Sequence, residues 1–430
     1  MTERVFKVEA LTRVEGEGGL YLRMAGDQVD DIQLQIYEPP RLFEALLRGK
    51  PLEETPDITA RICGICPVAY QMSSVHALEA ALGITISPEV RRLRRLLYCG
   101  EWIESHALHI YLLNAPDFLG YQSGLELAGH YPAEAERGLR MKKHGNDLLQ
   151  VLGGRAIHPV NVAVGGFYRL PKRAEMQKLI PDFEWCLEAA IATTRWAATF
   201  DFPELDCDYQ FVSLGHDDEY PMNEGPVITS DGERIDVTDY EAHFKEVQRP
   251  HSTAFHSLRT DAETPYLVGP LARVGLCFDK LAPVAREVSQ ELGLRWPSHN
   301  PFHSILARGL ELIHVFSEGL EILRDYEPTR PARQPYEYRV GEGCAATEAP
   351  RGLLYHHYRV SDDGKIVTAN IIPPTSQNQA RIEEDLRRWA PRVVSDDDSQ
   401  TSRQLENLVR CYDPCISCST HFLKVKIDRQ

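Results

Sequence analysis

Two Cys-x-x-Cys turns, one near each end of the chain, constrain this sequence more than anything else in it. Cys63 and Cys66 lie in Arg61-Ile62-Cys63-Gly64-Ile65-Cys66-Pro67. Cys415 and Cys418 lie in Asp413-Pro414-Cys415-Ile416-Ser417-Cys418-Ser419-Thr420-His421. Roughly 350 residues separate the pairs, beyond the span of one small zinc ribbon. A two-residue spacer folds the chain back so that both sulfurs converge on one metal. Two such turns meeting in the interior would supply four thiolates, a soft donor set. Four sulfurs hold one tetrahedral metal, or two metals when one sulfur of each pair bridges. Spacing alone leaves a structural Cys₄ zinc site, an iron–sulfur cluster and a redox dithiol open. The dithiol is the weakest of these, because neither pair follows a thioredoxin-like strand.

The other six cysteines, Cys99, Cys186, Cys207, Cys277, Cys344 and Cys411, match no metal spacing and read as small buried hydrophobes. Ten cysteines in 430 residues are too sparse for a disulfide scaffold. A formal net charge of -16 excludes non-specific nucleic-acid binding, which needs a positive surface. No apolar run reaches the roughly 18 residues of a membrane span, so no direct membrane span is expected. The start, Met1-Thr2-Glu3-Arg4-Val5-Phe6, lacks the basic and apolar regions of a signal peptide, and a cytoplasmic location is expected.

Residues 5–38 alternate in steps of two around a turn at Gly26-Asp27 and predict strands. From Pro39 the period becomes helical as far as Gly49. A helix after the first cysteine pair should end at Gly83. Ser87-Pro88-Glu89 then starts a long, largely buried helix running to about Leu112, with Gly100 as its one breaker. Helical patterns also fit 133–152, 172–200, 238–258, 279–292, 300–324 and about 402–411. Residues 327–343 read as a loop, and 353–360 and 365–372 as a hairpin around Ser361-Asp362-Asp363-Gly364. The expected fold is mainly α with small terminal β elements (α+β), a helical bundle in one domain over 1–430.

With their neighbours, both cysteine pairs resemble the first and last signatures of nickel-iron hydrogenase large subunits. Intermediate segments match in order: Thr12-Arg13-Val14-Glu15-Gly16, Arg41-Leu42-Phe43-Glu44, His109-Ile110-Tyr111 through Ala115-Pro116-Asp117, Ala349-Pro350-Arg351-Gly352, and Ile371-Ile372-Pro373-Pro374-Thr375. Each stretch is weak by itself, but the ordered set spans nearly the whole chain and is specific. The resemblance is closest to the cytoplasmic bidirectional branch, which includes NAD(P)-linked enzymes and sulfhydrogenases.

That resemblance implies reversible splitting of H2 into protons and electrons. It makes Cys63 and Cys415 terminal nickel ligands, and Cys66 and Cys418 bridges to an iron carrying carbon monoxide and cyanide. Glu15 becomes the proton-transfer carboxylate. Arg351 overhangs the open metal positions, and Asp117 and Asp413 orient that region. Pro350, Arg351, Ile372, Pro373 and Pro374, with Thr375, fall where the family packs the diatomic ligands. Glu44, His421 and the carbonyl of Asn370 match a magnesium site. Tyr70 departs from the histidine of many relatives, so the ring's hydrogen bond to a bridging sulfur is either lost or made by the phenol, and Pro374 departs from their serine, which removes a side-chain hydrogen bond to one cyanide. His106 and His109 read as core histidines with proton relay as the alternative.

Residues 422–430 match a tail that a maturation protease removes after nickel-insertion factors have acted. Beyond the four motif cysteines nothing here could hold an iron–sulfur relay, and no glycine-rich nucleotide loop is present. The electrons therefore need an iron–sulfur small subunit. The branch further implies diaphorase-type subunits carrying iron–sulfur clusters and a flavin or nucleotide. The competing reading is a non-catalytic metal-stapled scaffold or a regulatory hydrogen sensor.

Overall fold

The structure, a computed structural model, describes residues 3–39, 42–328 and 331–420. It opens on an antiparallel sheet, β1 (Glu3–Val8), β2 (Gly18–Ala25) and β3 (Gln28–Ile36), in that order. Leu20, Leu22, Ile32, Leu34 and Ile36 face the core in the expected two-residue alternation.

Helix α1 (Pro67–Leu82) begins directly after Cys66 and ends on Gly83 at φ 64°, a backbone state glycine adopts without steric cost. Helix α2 (Pro88–Leu108) starts as predicted, with the Ser87 hydroxyl accepting from Val90 N at 3.3 Å. It continues into a wide π-helical stretch, His109–Asn114, and then a short helix, Ala115–Leu119, that carries Asp117. Helix α3 (Pro132–Gly153) returns alongside α2. Gly100 is a packing device here rather than a breaker. A Cβ on Gly145 would meet Gly100 O at 3.0 Å and Glu104 N at 3.1 Å, so the two backbones touch. A second pair, α4 (Ile180–Ala197) and α5 (Ser304–Asp325), packs against it.

Between those helices lies the hairpin β4 (Phe244–Gln248) and β5 (Phe255–Arg259). A second antiparallel sheet follows, β6 (Gly341–Ala349), β7 (Gly352–Val360) and β8 (Ile366–Ile372), on which α1 packs. The chain closes with α6 (Pro374–Val393) and α7 (Asp398–Cys411). The fold is mixed α+β and mainly helical, as expected.

Five details differ from expectation. Residues 238–258 form a short helix, Tyr240–His243, and then β4 and the turn into β5. Their apolar spacing mimics a helix, but Pro250 interrupts it and the strands pair with each other. The helix expected over 172–200 is split, because Pro181 starts a new helix after Arg173–Gln177. The loop expected to reach residue 343 gives way to β6 at Gly341, and α6 was not foreseen. The β elements are not confined to the ends, since short strands also occur at Val212–Leu214, Val227–Thr229 and Arg234–Ile235.

Candidate metal centre

The two cysteine turns meet in the core. Cys63 Sγ lies 3.4 Å from Cys415 Sγ, and Cys66 Sγ lies 3.8 Å from Cys418 Sγ. All four sulfurs are within 4.8 Å of one another, and each residue is at most 3% exposed.

Local structure sets the front turn. Cys63 Sγ accepts from the amides of Ile65 and Cys66, both at 3.3 Å. The first amides of α1 are then held by a carboxylate on α2. Val68 N donates to Glu101 Oε2 at 2.6 Å and Ala69 N to Oε1 at 3.1 Å. A helix start attracts negative charge, although burial pushes the Glu101 carboxyl well up.

Distant segments set the back turn. Cys415 N donates to Thr375 Oγ1 at 3.0 Å, just inside α6. Ile416 N donates to Glu15 O at 2.9 Å, and Ser417 N to Glu15 Oε2 at 3.1 Å. The same Oε2 lies 3.1 Å from Cys415 Sγ. Half-buried Glu15 thus touches a cluster sulfur from the loop that joins β1 to β2. Ser417 Oγ donates to Glu38 Oε2 at 3.0 Å.

The third side is the two-residue turn Pro350-Arg351 between β6 and β7. Gly352 has φ 136°, and a Cβ there would strike Val268 Cγ2 at 2.7 Å, which is the local reason for a glycine after the arginine. Arg273 grips the turn from beneath, donating to Ala349 O at 2.8 Å and Pro350 O at 2.9 Å. Glu311 and Glu348 approach Arg273 at 2.7 Å and 2.9 Å. Arg351 Nε donates to Asp413 O at 2.7 Å and Nη2 to Asp413 Oδ1 at 3.1 Å. Asp413 adopts φ 52°, a strained state for a non-glycine residue.

Charge at the cluster is shared. Burial opposes the Arg351 charge, but Asp413 and then the sulfurs of Cys415, Cys66 and Cys63 more than offset this. Burial pushes up the thiols of Cys415 and Cys418. Burial also acts against the Cys63 thiolate, yet the neighbouring thiols Cys415, Cys418 and Cys66 hold its thiol well below the usual range. Arg351 Nη1 is buried with no hydrogen-bond partner. An unpaired guanidinium nitrogen beside four soft, buried donors fits a bound metal group carrying acceptors.

The remaining candidates divide. Asp117 does not reach Arg351. It clamps Arg410 through two 2.8 Å bonds and Arg13 at 2.5 Å, bracing α7 and the Glu15 loop instead. Glu44 accepts from Ile371 N at 2.8 Å, next to Asn370, whose side chain donates to Glu241 Oε1 at 3.0 Å. Pro350, Ile372, Pro373 and Pro374 are buried. Tyr70 is fully buried with its hydroxyl unpartnered, and burial, followed by the charge of Cys418, pushes its phenol well up. His109 Nε2 lies 2.8 Å from Arg410 O and His106 Nε2 2.8 Å from Glu311 Oε2, both inside the core. Burial holds His106 down at about 4. His421 and the tail 422–430 lie outside the described residues.

Sequence reasoning missed Glu101, Arg273, Glu311 and Glu348. Only Glu101 left a signal, an acid among Cys99, Trp102 and Ile103 on an otherwise apolar stretch of helix. Among the described residues no helix is long and apolar enough to cross a membrane.

A family model described as nickel-dependent hydrogenase matches residues 41–136 and 305–421. The chain is 35% identical to sulfhydrogenase 1 subunit alpha of Pyrococcus furiosus, over 97% of this chain and 98% of that one. It is 26% identical to the NAD-reducing hydrogenase HoxS subunit beta of Cupriavidus necator, covering 98% and 95% respectively. Its fold is similar to an NAD+-reducing [NiFe]-hydrogenase crystallised in the H2-reduced state, with TM-score 0.87, 26% identity, and 97% and 99% of the two chains covered. A [NiFeSe]-hydrogenase of Dm. baculatum shares the fold at TM-score 0.81 and 22% identity, covering 98% and 100%.

Proposed function

The chain belongs to the nickel-dependent hydrogenase family as its catalytic large subunit, and from that premise we propose how its residues divide the work. The observation that carries the proposal is the convergence of four buried sulfurs from opposite ends of the chain, with one carboxylate and one guanidinium at their edge.

Cys63 and Cys415 would hold nickel, and Cys66 and Cys418 would hold nickel and iron together. When bound, the bimetallic group supplies heterolytic cleavage of dihydrogen. Everything else falls to side chains. Glu15 exchanges a proton with the Cys415 sulfur, 3.1 Å away, and carries it off the cluster. Arg351, fixed by Asp413, keeps a positive charge beside the sulfurs, and its free Nη1 would donate to acceptors carried by a bound iron. Pro350, Ile372, Pro373 and Pro374 wall those ligands from water. Asp117 supports this region indirectly, through Arg410 and Arg13. Glu44, the Asn370 carbonyl and His421 would hold magnesium, an ion that takes few protein oxygens plus waters.

The whole chain acts as one large-subunit domain, and 422–430 are cleaved after nickel insertion by the maturation protease. Electrons leave to an iron–sulfur small subunit, since the described residues offer no second cysteine cluster to carry them. NAD-reducing relatives support a further diaphorase-type partner and NAD(P) as the ultimate acceptor, in the cytoplasm where that pool resides.

Metal analysis with infrared spectroscopy tests the reading. Nickel, iron and metal-bound carbonyl and cyanide bands are expected in the assembled enzyme. Zinc alone in the cysteine site would establish a scaffold subunit instead. Metals without dye-linked hydrogen oxidation would establish a sensor. Intact mass of active protein ending at Gln430 would overturn the cleavage.

A further inference from the structure

We propose that His251, His256 and Glu383 form a second cation site, separate from the cysteine cluster, that takes a divalent transition metal such as zinc. His256 lies on β5, His251 in the turn leading to it, and Glu383 on α6. Their ligand atoms all lie within 4.8 Å of one another.

The geometry is that of a gap a metal would close. His256 Nδ1 and Glu383 Oε2 are 3.9 Å apart, too far for a hydrogen bond. Two coordination bonds of about 2.0–2.2 Å span that distance. His251 Nε2 is hydrogen-bonded to the other carboxylate oxygen at 2.8 Å, a bond that a metal between the two groups would replace. The two rings stand nearly perpendicular, at 77°, with centroids 5.6 Å apart. Two imidazoles and one carboxylate leave a fourth position for water, a donor set that suits zinc.

Two features show that the pocket is built. Leu34 N on β3 donates to Glu383 Oε1 at 2.9 Å and fixes the carboxylate, as outer-sphere partners of ligands do. His256 is 1% exposed, and its Nε2 has no hydrogen-bond partner. The ring's other nitrogen, Nδ1, is the one that faces the Glu383 carboxylate. Burial also holds His256 down at about 4, so at neutral pH its lone pair is available to a metal.

The position gives the site a role. Both β3 and β5 pack on α6, and eight residues before Glu383 the same helix presents Thr375 to Cys415. A metal here would pin the hairpin and the first sheet to the helix that supports the back cysteine turn.

The test uses the assembled, nickel-loaded enzyme, in which the cysteines are occupied. After a chelator wash, zinc is titrated in and counted per chain, and its coordination is read by zinc-edge X-ray absorption. The expected result is one zinc with a nitrogen/oxygen shell including imidazole. Affinity should fall by more than about 100-fold in His256→Gln and Glu383→Gln, beyond the effect of losing an outer-sphere partner. Thermal stability should rise with zinc in the parent and not in the variants. His251→Ala and Glu383→Gln change half-buried side chains and serve if the variant of fully buried His256 fails to fold. No bound zinc, sulfur in its shell, or undiminished binding in His251→Ala would overturn the site.

Discussion

The two halves of the metal centre are built in opposite ways. The front turn is held by what lies next to it: its own amides fold onto Cys63 Sγ, and α1 starts at once, fixed to Glu101 on the following helix. The back turn closes on one bond of its own, Cys418 N to Cys415 O at 3.1 Å, and its other anchors are distant. Its amides reach Thr375, 40 residues earlier, and Glu15, about 400 residues earlier. A local turn forms cheaply, whereas long-range contacts require the loop between them to close first. The front pair is therefore expected to form first, and the back pair to complete the site once the N-terminal sheet and α6 are in place. This order suits a centre that must admit metals before it closes.

Replacing cysteines should break the comparison outright, because the chemistry needs both halves whatever their scaffolding. Cys66→Ser and Cys418→Ser are each expected to remove the bimetallic centre and reduce hydrogen oxidation below detection. Nickel and iron counts on purified protein check this. Retention of both metals in either variant would show that the four sulfurs do not act as one site.

The next largest effects belong to the residues at the rim. Glu15→Gln preserves an acceptor for Ser417 N but cannot carry a proton, so metals should stay while turnover drops by about 10²–10⁴-fold, the usual worth of a general acid–base group. Arg351→Met should cost about 3–5 kcal/mol of stability, because Asp413 is left buried without its counter-charge. Arg351→Lys should recover much of that stability and little of the activity, since an ammonium loses the planar fork. Chemical denaturation and dye-linked assays separate the two losses.

Beneath Arg351 the support is electrostatic, and its pH dependence is testable. One guanidinium, Arg273, serves two buried carboxyls. Burial opposes the Glu311 charge, but Arg273 and His106 hold its carboxyl at about 2, whereas burial drives Glu348 up to about 7. A carboxyl raised in the folded state binds its proton more tightly there. Its contribution is complete below its ordinary value of 4.5 and is lost as pH rises through about 7. The loss amounts to about 3 kcal/mol. Glu348→Gln should flatten the fall in Tm across that window while leaving the acid limb governed by Glu311 in place.

Legibility in the sequence follows the same division between local and distant causes. The front turn, the Gly83 stop, the Ser87 cap and the Ser361–Gly364 hairpin were readable because each is decided within a few residues. Glu15, Arg351 and Asp413 were visible only through resemblance to a family, since nothing local marks them as neighbours of the cysteines. Helix α6 escaped because its first turns bury Gln377, Asn378, Gln379 and Arg381, leaving apolar periodicity only from Ile382 onward. Strands β4 and β5 were mistaken because Tyr240, Phe244 and Val247 recur at helical spacing, and the pairing that overrides it is tertiary. Arg273 and Glu311 lie far from the hairpin they support, so no window of sequence contains the network.

The smallest predicted effect discriminates best between the two turns. Thr375→Ala removes one acceptor from Cys415 N and leaves that buried amide unpaired, at a cost of about 1–3 kcal/mol. Removing the Glu101 carboxylate instead leaves Val68 N and Ala69 N unpaired in a turn that neighbouring bonds still hold. If the back half is the one assembled last, Thr375→Ala should lower metal occupancy during maturation more than Glu101→Leu does, even where Glu101→Leu is the less stable protein by Tm. Thr375→Ser, which keeps the hydroxyl, should restore occupancy. Equal occupancy losses scaling only with Tm would mean that the two turns form together, and the asymmetry in their contacts would carry no order of assembly.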